Sequence, residues 1–476
     1  MKFINREQEL AKLEEYHKFS RKGLFTVAIV GLRRVGKTTL VKEFIKNKKS
    51  LYFFVYDSKT SIDLLREFTE ELRKEKIITE LETLDSWNLF FETIFSRCKH
   101  YIIIFDEFQN FHSVDPAVFS ILQKFCDEFK ETPLNLIMLG SLIGLFKRIF
   151  EDRKQPLYGR ISAKINIHPF SFEYSIKTMR ALRYRNFEEM LKIYGIFGGF
   201  PKYYAAIEQF DLLGKDYLNI IEYLFIQENA PLENEVPDIL RQEFGRRSSL
   251  YYSLIRSIAS GKTKLNEIAA ALKMKESSIT RHLKELEEKF NLIRSLRPID
   301  NKKTTRYFLN HPLIEFWFAF VYDKFSYYTL KNTQQIMDDI KNKFNAYFGR
   351  RFEEICKELL IQLNTSEKLF FNLEYFSNWW GFKRENNERK EIEIDLIGLN
   401  QKTKQIIFIE CKWKNNVDAV ETLKGLEMKS KYVNWHEGKR EEYFCIIAKS
   451  FKRKFSRKNV LLFDLKDMEK IVNELK

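Results

Sequence analysis

Gly31-Leu32-Arg33-Arg34-Val35-Gly36-Lys37-Thr38-Thr39 is the stretch that decides the fold of the N-terminal third. LFTVAIV (Leu24–Val30), a short apolar, β-rich run, precedes it, and the helical pattern Leu40–Ile45 follows. GxxxxGK[ST] between a strand and a helix is a phosphate-binding loop. Its glycines let successive backbone N–H groups turn toward phosphates, and the helix N-terminus adds partial positive charge. Lys37 is expected to reach the β and γ phosphates and Thr38 to ligate Mg²⁺. The implied ligands are ATP and Mg²⁺.

Tyr101-Ile102-Ile103-Ile104-Phe105-Asp106-Glu107 is the second half of such a site. A bounded apolar run reads as a central parallel strand buried on both faces. Its acids fall at the C-terminal end, where doubly wound sheets place ligands. Asp106 is expected in the Mg²⁺ shell, and Glu107 beside the water that attacks the γ-phosphate. Strand patterns at Leu51–Tyr56, Leu134–Leu139 and Ile161–Ile167 alternate with helical ones at Ile62–Lys76, Trp87–Arg97 and Val118–Phe129. The expectation is α/β with a mostly parallel sheet.

The length, 476 residues, suits about three domains. Hydrophobic residues make up 44%, with 44 Phe and 22 Tyr, which excludes a disordered chain. No run approaches the ~18 apolar residues of a membrane span. The start, Met1–Glu7, has no apolar signal region, and the five scattered cysteines form no CxxC. These point to a cytoplasmic protein without membrane, disulfide framework or zinc ribbon. Lys+Arg number 81 against 66 Asp+Glu, a net charge of +15. One reading is a solubilising or thermophile-type surface; the other is a polyanionic partner.

Several pieces together resemble the archaeal ATPase family within the AAA+-related P-loop ATPases. They are Phe3–Leu10 (FINREQEL), the phosphate loop, Phe105-Asp106-Glu107-Phe108-Gln109, Leu139-Gly140-Ser141, Pro156–Arg160 (PLYGR) and Gly198–Tyr203 (GGFPKY). The resemblance implies a sensor strand ending at Ser141 and lying between the two strands that carry the ATP motifs. It also implies that Arg160 answers the γ-phosphate, with a plain surface arginine as the alternative. A helical lid is expected over about 170–245, with amphipathic stretches at Phe187–Tyr194 and Asp216–Glu228. A homo-oligomer is compatible with this reading.

Residues 246–325 read as a winged helix-turn-helix. Helical spacing covers Ser249–Ser260, Leu265–Leu272 and Ser278–Phe290, and the last turns Ile279, Leu283, Leu286 and Phe290 inward. Leu292–Leu296 and Tyr307–Leu309 then flank a hairpin with Lys302 and Lys303 at its tip. Ser277, Ser278, Thr280 and Arg281 begin the third helix, where such helices meet the DNA major groove. Lys284 and the wing lysines are placed for phosphates. Many such modules instead pack against proteins.

In 326–476, Phe344–Leu363 reads as a helix. Glu391–Ile397 (EIEIDLI) alternates strictly and Gln405–Lys412 (QIIFIECK) returns after a turn, a half-buried hairpin. A turn centred between Lys402 and Thr403 sets Asp395 opposite Glu410, with Lys412 on the same face. Facing carboxylates need a cation between them. Asp395…Glu410-Cys411-Lys412, with Glu353 on the preceding helix, resembles the PD-(D/E)XK nuclease (restriction-endonuclease-like) fold, although Ile394 replaces the proline. The wording also resembles a domain of unknown function that follows archaeal ATPase modules. This implies that Asp395 and Glu410 bind a metal and that Lys412 and Glu353 assist. A salt-bridged hairpin without chemistry, or a binding-only domain, are the alternatives. The basic segment Lys449–Lys458 suits a phosphate track or a solvated loop. The functional expectation is an ATPase acting on DNA with a candidate metal-dependent nuclease domain. The rival is a regulatory ATP switch that binds proteins.

Overall fold

The computed structural model describes residues 5–141, 143–244, 248–300, 304–324, 333–385 and 388–474. It divides into two compact units: Met1–Pro169 with Phe200–Lys202 and Glu288–Asn291, and Phe170–Gly199 with Tyr203–Glu287 and Leu292–Lys476.

The first unit is built on five strands, β1 (Leu24–Val30), β2 (Ser50–Phe54), β3 (Ile102–Asp106), β4 (Leu134–Gly140) and β5 (Ala163–Asn166). Every pairing is parallel, in the order β2-β3-β4-β1-β5. β4 thus lies between the phosphate-loop strand and the Asp106 strand. Parallel strands need crossovers, and helices Ser61–Lys74, Trp87–Arg97 and Ala117–Glu128 supply them. β3 and β4 are buried along their whole length, as unbroken apolar runs demand. The phenylalanine wealth is spent here. Phe53, Phe68, Phe90, Phe91 and Phe105 pack ring on ring under the β2–β3 side of the sheet.

The second unit begins with helices. Phe187–Phe197 runs one turn beyond the expected stretch. Tyr217–Ile221 passes into a π-helical turn at Glu222–Ile226. Helices Ser248–Ala259, Leu265–Leu272 and Glu276–Glu288 follow, and the antiparallel pair β6 (Ile293–Leu296) and β7 (Arg306–Leu309) closes the segment. Ile279, Leu283 and Leu286 are buried on one face of the third helix. Lys302 and Lys303 lie outside the described residues.

A single helix, Thr333–Thr365, starts eleven residues before the expected Phe344, because Ile336, Met337 and Ile340 extend its buried stripe. Among the described residues, seven strands and two helices, Ala419–Ser430 and Leu465–Glu474, then form the C-terminal α/β part. The strands are β8 (Tyr375–Glu385), β9 (Glu388–Asn400), β10 (Gln405–Lys412), β11 (Val417–Asp418), β12 (Glu441–Ala448) and, after the short β13 (Phe451–Arg453), β14 (Val460–Phe463). The mixed sheet runs β14-β12-β10-β9-β8, and β11 pairs separately with β13. β10 is antiparallel to β9 but parallel to β12. The β12 crossover is provided by helix Ala419–Ser430, whose Leu423 and Leu426 pack on Phe408 and Ile446.

Candidate functional site

The first site lies at the C-terminal ends of β1, β3 and β4. Gly31 follows β1 where a Cβ would meet the Ile167 carbonyl oxygen at 2.3 Å, so only glycine fits. Leu32, Arg33, Arg34 and Val35 make the loop, with Arg34 at φ 70° and Gly36 at φ 90°. The left-handed turn at Gly36 delivers Lys37, Thr38 and Thr39 to the first turn of helix Lys37–Phe44. Lys37 is buried, and its Nζ donates to the carbonyls of Gly31 at 2.9 Å and Leu32 at 3.0 Å. The ammonium thus lies folded within the loop.

Thr38 Oγ1 donates to Asp106 Oδ2 at 2.7 Å, which joins loop to β3 as a shared Mg²⁺ seat requires. Tyr52 OH donates to the same Asp106 oxygen, and burial and the Asp106 charge raise its pKa. Asp106 Oδ1 accepts from the Glu107 N–H at 2.8 Å. Glu107 itself has φ 53°, a left-handed conformation unusual for a glutamate. Its Oε2 accepts from Ser141 Oγ at 2.6 Å and from Gln109 Nε2, while Arg33 stands 3.6 Å from its Oε1. Gln109, fully buried, escaped the sequence reading as a site residue; its place two residues after Glu107 was the available signal.

Arg160 departs from expectation. Its guanidinium pairs with Asp127 at 2.9 Å and donates to the Tyr158 carbonyl at 2.7 Å. Its own carbonyl accepts from Thr26 Oγ1. Thr26 lies near the start of β1 and Gly31 at its end, five residues away, which at about 3.3 Å each is roughly 16 Å. Arg160 therefore sits at the edge of the sheet opposite the phosphate loop and does not reach that loop in its own chain. The reason is topological: it precedes β5, which runs parallel to β1.

The second site is on the C-terminal sheet. The β9–β10 ladder pairs Gln405 with Asn400 through Ile409 with Leu396, the register that the turn predicts, and it ends there, one residue short of Asp395 and Glu410. On its other side β9 pairs with β8 through a register shift at Ser377/Trp379: Ser377 faces Ile397 but Trp379 faces Ile394. The extra residue on β9 is a bulge at Asp395/Leu396, and bulges re-aim side chains next to sites. Asn378 Nδ2 donates to the Asp395 carbonyl at 2.7 Å and holds the bulge. Asp395 Oδ2 accepts from the Cys411 N–H at 2.7 Å. Burial and the Glu410 charge push the Asp395 carboxyl up to about 6.

Glu353, on the long helix, is held well above the carboxylate range by burial and by Asp395, so the two carboxyls share one pocket of field. Its neighbour Glu354 is instead tied to Arg294 at 2.5 Å. Glu410 is buried, and Lys412 Nζ lies 2.5 Å from its Oε1. Burial opposes the charge on Lys412, but Glu410 outweighs it and raises the amine's pKa. A second cation, missed from sequence, joins them: Lys429, from helix Ala419–Ser430, reaches both Glu410 oxygens. Among the described residues no three Asp, Glu, His or Cys side chains converge as a closed metal cage. The donor set fits the open kind of seat that Mg²⁺ uses, one or two carboxylates plus waters.

Glu353 and Asp395 line a cleft of about 330 Å³ whose other wall includes Arg294, Arg306 and Trp380. The β6–β7 hairpin is clasped there. Arg306 pairs with Glu391 at 2.5 Å and Glu393 at 2.6 Å and stands 4.6 Å from the Trp380 ring centre. Asp300 accepts from Trp379 Nε1 at 2.9 Å, and Ile299 packs against the C-terminal core.

Ser277, Ser278, Thr280, Arg281 and Lys284 are all exposed on the third helix of the helix-hairpin segment. Arg281 also pairs with Glu285 at 3.2 Å. No helix of the described residues is long and apolar enough to cross a membrane.

Residues 3–207 match the family described as an ATPase domain predominantly from Archaea, and residues 317–424 the one described as Archaea bacterial proteins of unknown function. The chain is 31% identical to the uncharacterized protein MJECL04 of Methanocaldococcus jannaschii over 474 residues, 98% of this chain and 99% of that one. A 47-residue stretch is 45% identical to the uncharacterized ATP-binding protein MJ0423 of the same organism, 10% of this chain and 76% of that one. The Walker-type ATPase PABY2304 of Pyrococcus abyssi shares the fold with TM-score 0.52 and 22% identity, over 66% of this chain and 96% of that one. With its phosphate loop, its parallel sheet and a relative matched end to end, the chain belongs to the archaeal ATPase family, joined to a C-terminal domain of the archaeal and bacterial family of unknown function.

Proposed function

We propose that this protein hydrolyses ATP to control a metal-dependent phosphodiesterase in its C-terminal domain, acting on DNA. The observation that carries it is the convergence of Glu353, Asp395, Glu410 and Lys412 at one bulged strand end. We assign residues 1–169 to the ATPase core, 170–245 to a helical lid, 246–325 to a winged helix and 326–476 to the PD-(D/E)XK nuclease-like domain.

In the ATPase, the backbone from Gly31 to Gly36 binds phosphate oxygens, with the first helical turn at Thr39 behind it. Lys37 extends from the Gly31 and Leu32 carbonyls to the β and γ phosphates. Thr38 and Asp106 hold the Mg²⁺. Glu107 orients the attacking water, and Ser141 and Gln109 hold that carboxylate in place.

In the C-terminal domain, a divalent ion supplies, when bound, a water of lowered pKa and a charge that stabilises the pentavalent phosphate. Asp395 and Glu410 would hold it, Glu353 would complete its outer shell, and the Lys412 ammonium would orient the water or neutralise the developing charge. Ser277, Ser278, Thr280 and Arg281 contact the DNA groove, and Lys284 its phosphates, as do Lys302 and Lys303.

The test is incubation of plasmid and linear DNA with the protein, with and without ATP and with Mg²⁺ or Mn²⁺. Metal-dependent cleavage that vanishes in Asp395→Ala and in Lys412→Ala, with ATP hydrolysis intact, is the expected result. Cleavage surviving in Asp395→Ala means a contaminating enzyme. No cleavage under any condition returns the domain to a binding role.

A specific observation favours the second reading, a regulatory ATP switch that binds proteins. The basic segment Lys449–Lys458 is largely neutralised: Lys449 pairs with Glu188, Lys454 with Asp464 and Arg457 with Glu427. Protein partners recovered from nuclease-treated lysate, with no DNA retained at low salt, are the outcome that selects it.

A further inference from the structure

Glu410 is served by more positive charge than one lysine brings. Lys412, two residues along β10, lies 2.5 Å from Oε1. Lys429, in the last turn of helix Ala419–Ser430, lies 3.0 Å from Oε1 and 2.9 Å from Oε2. One ammonium is enough to balance one buried carboxylate, so the second needs a reason. Asp395 supplies it only in part: the Lys429 charge acts on that carboxyl, but its Oδ2 is engaged with the Cys411 N–H and Lys429 is bonded to Glu410 alone of the two acids. Helix anchoring does not supply the rest. Asp418 caps the helix N-terminus through the Val420 and Glu421 amides, and Leu423 and Leu426 seat it on the sheet. The Lys429 side chain remains 33% exposed and has room to leave.

We propose that Lys429 is a positioning residue that keeps the cation seat of the carboxylate site. It balances Glu410 while no divalent ion is bound, yields those oxygens to the ion, and then turns its ammonium toward the phosphate. The last of these rests on the phosphodiesterase reading; the exchange does not. An ammonium and a divalent ion on the same two oxygens repel each other at contact distance, so one must withdraw. Lys412 is fixed by its place on β10, in the ladder with β12. Lys429 enters from a helix end on a flexible four-carbon stem, with donors that rotate to a new acceptor. A lysine released there stands one side-chain length from charge developing on phosphate oxygens.

The exchange makes metal affinity and turnover move in opposite directions, which a merely structural lysine does not do. The experiment is a Mn²⁺ titration of the nucleotide-free full chain, followed by loss of the free-ion electron paramagnetic resonance signal, beside DNA cleavage by the same samples. Lys429→Gln is expected to bind Mn²⁺ about tenfold tighter, the scale on which neighbours tune metal sites. Cleavage is expected to fall about a hundredfold, as when one charge-stabilising donor is lost. Lys429→Arg restores both toward wild type. Asp395→Asn abolishes the Mn²⁺ signal and so locates it. Lys429→Met, which keeps the stem and loses the charge, replaces Lys429→Gln if that variant does not fold. Mn²⁺ affinity unchanged or weaker in the neutral variants overturns the exchange. Should the wild type cut nothing, the phosphate role falls with the phosphodiesterase reading, while the Mn²⁺ comparison still decides the exchange.

Discussion

Ser141 Oγ donates to Glu107 Oε2 at 2.6 Å and ties the end of β4 to the turn after β3. With Gln109 on the same oxygen, the carboxylate is held from two sides while its Oε1 faces Arg33 of the phosphate loop. A glutamate so held has its carboxylate fixed in direction. Glu107→Gln is expected to bind ATP and lose turnover by about 10²–10⁴-fold, the usual worth of a general base. Ser141→Ala should bind ATP equally and lose roughly tenfold in kcat. Lys37→Ala should lose nucleotide binding itself, read by anisotropy of a fluorescent ATP analogue. Wild-type hydrolysis by Lys37→Ala removes the site.

The Asp395 carboxyl, raised to about 6 by burial and Glu410, gives a pH dependence with a definite sign. The folded state holds this proton more tightly than the unfolded chain does. The metal-free protein is therefore stabilised at acid pH, and that stability is lost as pH rises through about 6. The loss is on the order of 1–3 kcal/mol. Asp395→Asn should raise the unfolding temperature at pH 7.5 in chelator and raise it much less at pH 4.5. Equal shifts at both pH values would argue against a raised carboxyl.

Arg306 joins the hairpin to β9 through Glu391 and Glu393. Its removal leaves Glu393 without its cation, while Glu391 keeps Lys264 at 2.5 Å. Arg306→Ala should destabilise by about 1–2 kcal/mol, less than a broken buried pair, because Glu393 is half exposed and Glu391 stays paired with Lys264. Adding Glu393→Gln should recover part of the loss. Urea unfolding followed by tryptophan fluorescence reads it directly, since Trp379 and Trp380 bond to the hairpin residues Asp300 and Thr304.

Arg281 and Lys284 stand exposed on the helix assigned to DNA. If Lys284 meets a phosphate and Arg281 the groove, Lys284→Ala lowers the slope of log affinity against log salt by about 1, and Arg281→Ala weakens binding chiefly to the preferred sequence. Gel shifts at several salt concentrations measure it. An unchanged slope moves the contact to another surface.

Much of this was legible in the sequence, for reasons that differ by element. The phosphate loop is local: each residue type answers to a neighbour within nine positions. The nearness of Asp395 to Glu410 was legible because a short turn fixes a hairpin register. β8 was missed because its aromatic and polar residues, Trp379 and Trp380 beside Asn378, show no period. Lys429 was invisible because it is one lysine among many on a helix, and only the crossover brings it to Glu410. Where Arg160 would lie was not legible, because a motif names a residue type without telling which end of a strand it will occupy.

That placement has a consequence for how activity scales. Arg160 and the phosphate loop terminate opposite ends of one sheet, so no side-chain rotation brings them together. Any use of Arg160 on a γ-phosphate is a meeting of two chains, governed by mass action, after Asp127 has let go of the guanidinium. Specific ATPase activity would then climb with protein concentration and level off once copies are associated. Arg160→Ala chains mixed with Lys37→Ala chains would recover activity that neither has alone. If Arg160 acts in this way, turnover per chain is low in dilute protein and rises as copies associate.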